Sequence, residues 1–208
     1  MSRRRHQQRG FTLVELGVVL GIIAVLATLS IAGLIGLRKR SSISTAFEEV
    51  QTGLLRARSQ AFARGTRTVF VVDSKGGRWW ALVEDPDAPF DLTEFAKKPQ
   101  GTIIDRGELG TTVAFGPEAG YGKDLPAPFT GIPVTSASPK SCSFCDPDKG
   151  WGAIYFLSSG AVTFTSPSGG AGALGQQFSL HGTYEGASRT MLFAVVARTG
   201  VIQTFEED

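Results

Sequence analysis

The stretch Gly10-Phe11-Thr12-Leu13-Val14-Glu15 stands between a short basic leader and a run without charge from Leu16 to Leu37. At ~1.5 Å rise per residue that run makes a helix of ~33 Å, the thickness of a bilayer core, and so predicts a membrane-spanning helix. One carboxylate, Glu15, stands at its start. A bare charge in hydrocarbon costs on the order of 3 kcal/mol and is kept where it has a partner. Farther on, Ile43, Ala46, Phe47, Val50, Leu54, Ala57 and Ala61 recur at three- and four-residue intervals, while Glu48, Glu49, Arg56 and Arg58 lie mostly off that stripe. No proline interrupts the pattern, so one helix is expected from Phe11 to Arg64, ~81 Å long, with Gly65 as its stop. Residues 11–37 are its membrane half. Residues 38–64 are its amphipathic half, packed under a sheet.

After Gly65 the sequence turns to β-rich runs between turn residues, the mark of an antiparallel meander. Thr68–Val72 and Trp79–Val83 form a first hairpin around Asp73-Ser74-Lys75-Gly76-Gly77. Residues 84–101 are loop-like, Thr102–Ile104 and Thr111–Phe115 are short strands, and 116–150 is a long excursion rich in proline and glycine. Ala153–Leu157 with Ala161–Thr165, and Met191–Ala197 with Val201–Phe205, make two more hairpins, and Phe178–Tyr184 joins the same sheet. Trp79 and Trp80 must face opposite sides of their strand, so one packs on the helix and the other is a candidate exposed subunit contact. The expected fold class is α+β: a long N-terminal transmembrane and amphipathic helix on the antiparallel sheet of a head at 65–208.

With 208 residues, 42% of them hydrophobic, the chain can build one sizeable core. The net charge of +2 depends on Arg3, Arg4, Arg5 and Arg9; without them the 19 acidic residues outnumber the basic ones. A mildly acidic chain is a poor general binder of nucleic acid. His6 lies in the leader and His181 stands alone in a strand, so no hydrolytic constellation forms. The glycine-rich stretch 169–175 lacks the Lys-Ser/Thr ending of a phosphate loop. Cys142-Ser143-Phe144-Cys145 is the sole cysteine motif. A redox thiolate needs a helix N-terminus, whereas Asp146 and Asp148 are acidic loop neighbours, and zinc needs about four ligands. A disulfide in an oxidising compartment is the reading preferred over both. No cofactor, metal or catalytic residue is expected.

A basic region before an apolar run also describes an ordinary secretory signal, with Ser30-Ile31-Ala32 as its cleavage site. Glu15, the length of the run and the helical pattern beyond residue 40 argue against it. Arg38, Lys39 and Arg40 balance the leader arginines, so charge alone does not orient the helix.

Gly10 followed by Phe-Thr-Leu-Val-Glu-Leu and an apolar helix resembles the processing site of type IV prepilins and type II secretion pseudopilins. Phe156–Phe164 and Ala197–Gln203 are similar to the closing strands of the pseudopilin H and minor pilin T/U family. The resemblance implies that a prepilin peptidase cuts between Gly10 and Phe11, that the new Phe11 amine is methylated, and that residues 1–10 are a leader left in the cytoplasm. It further implies that Thr12 and Glu15 serve assembly, with the Glu15 carboxylate pairing with the Phe11 amine of a neighbouring subunit. The implied location is the bacterial inner membrane, single-pass with a periplasmic head, then a pilus tip or a periplasmic pseudopilus. The implied partners are other minor pilins and the major pilin, or pseudopilins, together with the assembly platform and, through the helix, the membrane.

The reading reached is a non-enzymatic minor pilin that primes or caps a type IV pilus, with the minor pseudopilin of a type II secretion system as the alternative. A DNA-uptake receptor is the third reading. Against it stands the acidic ending Phe205-Glu206-Glu207-Asp208; for it stands a grouping of Arg189 and Arg198 in space.

Overall fold

The computed structural model describes residues 13–99, 101–116, 125–132, 142–165, 174–184 and 187–207. Helix α1 runs over Leu13–Arg64, with Glu15 in its first turn and Arg64 in its last, each charge complementing the helix dipole. It stops where Gly65 takes φ 65°, the left-handed conformation that closes a helix at little cost only for glycine. The chain divides into two compact units, Met1–Arg40 and Ser41–Asp208.

Among the described residues, no helix is long and apolar enough to cross a membrane. The expected transmembrane half of the helix is therefore corrected, and with it the membrane as a partner and the single-pass inner-membrane location. What stands is a helix-plus-antiparallel-sheet fold.

In the second unit the sheet divides in two, where one was expected. Strands β1 (Thr68–Asp73), β2 (Arg78–Val83), β3 (Thr102–Glu108), β5 (Trp151–Phe156) and β6 (Val162–Phe164) form a five-stranded sheet in the order β3-β2-β1-β5-β6. Strands β4 (Val113–Phe115), β7 (Gly175–Tyr184), β8 (Ala187–Val196) and β9 (Ile202–Glu207) form a second, in the order β4-β7-β8-β9. The strand pairings among the described residues are all antiparallel, including β1 with β5, which joins Thr68 to Phe156 and Asp73 to Trp151. Phe178–Tyr184, assigned above to a single sheet, lies instead in β7 of the second.

The main core lies between the two sheets and the second half of α1. Ile43, Phe47, Val50, Leu54, Ala57 and Ala61 are buried there, against Phe70, Val72 and Trp79 of one sheet and Phe178, Leu180 and Phe193 of the other. Aromatic rings knit the layers. Phe178 stacks on Phe193 at 4.8 Å between centroids and on Phe70 at 6.0 Å, and meets Phe144 edge-on at 6.2 Å. Thr68 donates its hydroxyl to the Ala57 carbonyl at 2.7 Å, tying β1 to the helix.

Strand β1 is buried on both faces because the outer face of the first sheet is also covered. Helix α2 (Leu92–Lys97) does the covering, within a segment read as loop. Asp91 caps it by accepting the Thr93 N–H at 2.7 Å, and Phe95 enters a second cluster with Val69, Val71, Trp80 and Leu82.

Candidate processing and assembly site

Gly10, Phe11 and Thr12, the processing residues and one assembly residue, lie outside the described residues. Glu15 is the acidic residue of the first turn of α1, where the positive end of the helix dipole favours a carboxylate. Around it Leu13, Val14, Leu16, Val18, Leu20 and Ile22 are each more than half exposed. Neighbouring positions along a helix are ~100° apart, so these side chains surround the axis and leave no polar face. A stable monomer rarely exposes more than a few hundred Å² of contiguous apolar surface.

Cys142 and Cys145 are joined by a disulfide, with their Cα atoms 5.4 Å apart. The loop they close clasps both sheets. Ser143 donates its N–H to the Gln177 carbonyl at 2.8 Å on β7, and Asp146 donates its N–H to the Trp151 carbonyl at 2.8 Å on β5. Phe144 fills the space between, fully buried and 5.7 Å from Phe164. The Asp146 carboxyl accepts the N–H groups of Lys149 and Asp148, and the Lys149 bond above all holds it below the usual carboxylate range.

The tryptophan pair divides as alternation requires, but neither member is exposed. Trp79 enters the main core, while Trp80 lies on the outer face, stacked on Trp151 at 5.4 Å and edge-on to Phe95 at 5.5 Å. The expected exposed tryptophan is thus corrected: α2 covers it.

His181 Nδ1 lies 3.1 Å from the Thr190 hydroxyl, the ordinary hydrogen bond of a strand histidine. Arg189 and Arg198 do not group, because they stand at opposite ends of β8. Arg189 pairs with Glu206 and donates to Ser44 at 3.0 Å, whereas Arg198 is exposed in the turn beyond the strand.

The cavity lined by Leu82, Glu84, Phe90, Asp91, Glu94 and Phe95, ~460 Å³ in volume, was not foreseen. Its acids are engaged within the fold. Arg67 forms an ion pair with Glu84, which also accepts the Phe90 N–H at 2.7 Å; Asp91 caps α2, and Glu94 pairs with Lys97 at 2.7 Å. Among the described residues, no group of three or more His, Cys, Asp or Glu side chains could hold a metal ion.

Comparison with known proteins gives one match at the N-terminus: residues 5–31 fit the family model of the prokaryotic N-terminal methylation motif. No curated protein matches the chain at a significant level. Among solved structures, the chain is similar to the minor pseudopilin EpsH from the Type 2 Secretion System of Vibrio cholerae. Identity is 14% and the TM-score 0.38, over 77% of this chain and 93% of that one, a likeness too slight to carry a conclusion about function. The motif is consistent with a non-enzymatic protein. The N-terminal methylation motif points toward a pilin-like family and singles out no member of it.

Proposed function

We propose that this chain is a non-enzymatic structural subunit of a pilin-like filament, cut by a prepilin peptidase between Gly10 and Phe11 and methylated on the new Phe11 amine. The observation that carries this reading is the methylation motif at residues 5–31, which runs directly into a helix with apolar side chains on every side. Helices of neighbouring subunits cover that surface. Their packing removes apolar area from water at about 25 cal/mol per Å², so the exposed segment becomes the main source of association. In that interior a carboxylate needs a counter-charge, and Glu15 takes the Phe11 amine of a neighbour. Mutual neutralisation offsets much of the desolvation of each ion, so the pair selects register more than it adds stability.

Two machines use such subunits. The pseudopilus of a type II secretion system is the reading we take first; a minor pilin of a type IV pilus is the second. Cross-linking in cells followed by identification of the partners decides between them. Cross-links to other pseudopilins are expected. Cross-links confined to pilus subunits would move the assignment to the second machine, and none to any pilin-like protein would overturn the filament reading itself.

A further inference from the structure

We propose that the last turns of α1 and the turn at 197–201 form a docking patch for an acidic, apolar segment of another protein. Leu55, Arg58 and Phe62 stand at positions i, i+3 and i+7 of α1 and so share one face. That face is not the one in the core. Leu55 is 44% exposed, Phe62 49% and Val201 40%, three of the few large apolar side chains that the second unit leaves in water. Two glycines support the patch. A Cβ on Gly160 would come within 3.1 Å of the Phe62 ring, and one on Gly200 within 3.5 Å of Arg58 Nε. Ring and guanidinium therefore lie directly over bare backbone.

The charge of the patch identifies the occupant. Arg56, Arg67, Arg78 and Arg189 each have a carboxylate partner. Among the described residues Arg58 and Arg198 of the patch have none, and Arg40, Arg64 and Arg106, which lie outside it, have none either. Arg198 is exposed, and Arg58 lies 5.7 Å over the Phe62 ring with one long bond, 3.4 Å, to the Thr199 carbonyl. The Nε of Arg58 is buried with no acceptor. A guanidinium with spare donors, beside exposed leucine, phenylalanine and valine, is complemented by a carboxylate next to apolar side chains. Phe62 is the exposed ring of the patch and Arg58 lies over it, while Leu55 and Val201 add aliphatic surface on which no base can stack, so the patch suits a protein segment better than a nucleic acid.

Selection of a random peptide library on the immobilised full chain tests this, because it assumes no particular partner sequence. Enriched peptides should combine Asp or Glu with Leu, Phe or Val, and their binding should weaken as salt rises. Arg58→Gln and, independently, Phe62→Ser should lower binding at least about tenfold, the loss expected when a charge-assisted hydrogen bond or a central apolar contact goes. Lys98→Gln, at the C-terminal cap of α2, should leave it unchanged. Unaltered circular dichroism and melting of each variant establish that the fold is intact. Enrichment of basic peptides, binding indifferent to both variants, no enrichment, or capture of single-stranded oligonucleotide in place of peptide would overturn the proposal. The patch lies wholly within Ser41–Asp208, so its failure leaves the filament reading standing, and the reverse holds equally.

Discussion

The indole of Trp79 occupies the space that a side chain on Gly53 would need: a Cβ there would stand 2.5 Å from Trp79 Cη2, and one on Gly107 would stand 2.6 Å from Trp79 Nε1. Trp79 is thus wedged between α1 and the edge strand β3 and cannot retreat from either. Gly107→Ala should cost about 1 to 3 kcal/mol by overpacking. Gly53→Ala should cost less, since alanine regains up to about 1 kcal/mol of helix propensity. Urea unfolding followed by tryptophan fluorescence measures both. Wild-type stability in Gly107→Ala would show that the wedge has slack.

Acid should loosen the corner where β2 leaves the first sheet. Burial alone would push the Glu84 carboxyl up, yet the hydrogen bond and charge of Arg67 and the Phe90 N–H outweigh it and hold the group below its ordinary 4.5. A depressed folded value means stability that is fully present above the unfolded pKa and lost as pH falls through the folded one. Wild type should therefore lose stability as pH drops below about 4.5, and Glu84→Gln should lack that portion of the loss. At neutral pH the variant should be less stable by about 1 to 2 kcal/mol, the Arg67 side chain being partly in water. Parallel pH profiles for the two proteins would contradict this.

The Cys142–Cys145 bridge closes too short a loop to restrict much chain entropy, so replacing both cysteines by serine should cost about 2 kcal/mol or less. Both residues are almost fully buried, so the chain is unfolded without reductant before thiol labelling, which should then find no free cysteine. Two labelled thiols, or stoichiometric zinc, would reject the bridge.

Much of this architecture was legible locally. The stripe from Ile43 to Ala61 is the face of α1 that the core buries, and each hairpin turn lies where its glycines suggested. The covering of the outer face carried two signals that were passed over. Thr68-Val69-Phe70-Val71-Val72 does not alternate, as befits a strand buried on both sides, and Asp91 followed by Glu94 is the pattern of a helix start. The division into two sheets depends on β1 pairing with β5, and no local pattern reports so distant a partner. Charge alone misled at Arg189 and Arg198, because the length of a strand separates them. At the N-terminus the motif was plain, whereas the membrane crossing inferred from the same run is not supported.

Glu15 tests the register argument. Leaving a buried partner unpaired costs on the order of 3 to 5 kcal/mol, so Glu15→Ala should be processed normally yet recruited poorly into filaments. Quantifying the variant in sheared filaments at matched cellular levels measures this. Recovery equal to wild type would show that the carboxylate does not drive assembly.

Processing at Gly10 is the claim on which the functional reading depends most directly, and intact-mass and N-terminal peptide analysis of the chain isolated from its own cells tests it. A mature protein that begins with N-methyl-Phe11 is predicted, and Gly10→Ala or a bulkier residue should leave the precursor uncut. A chain still carrying Arg3, Arg4, Arg5 and Arg9, or one beginning at Gly33 after an ordinary signal cleavage, would contradict the account.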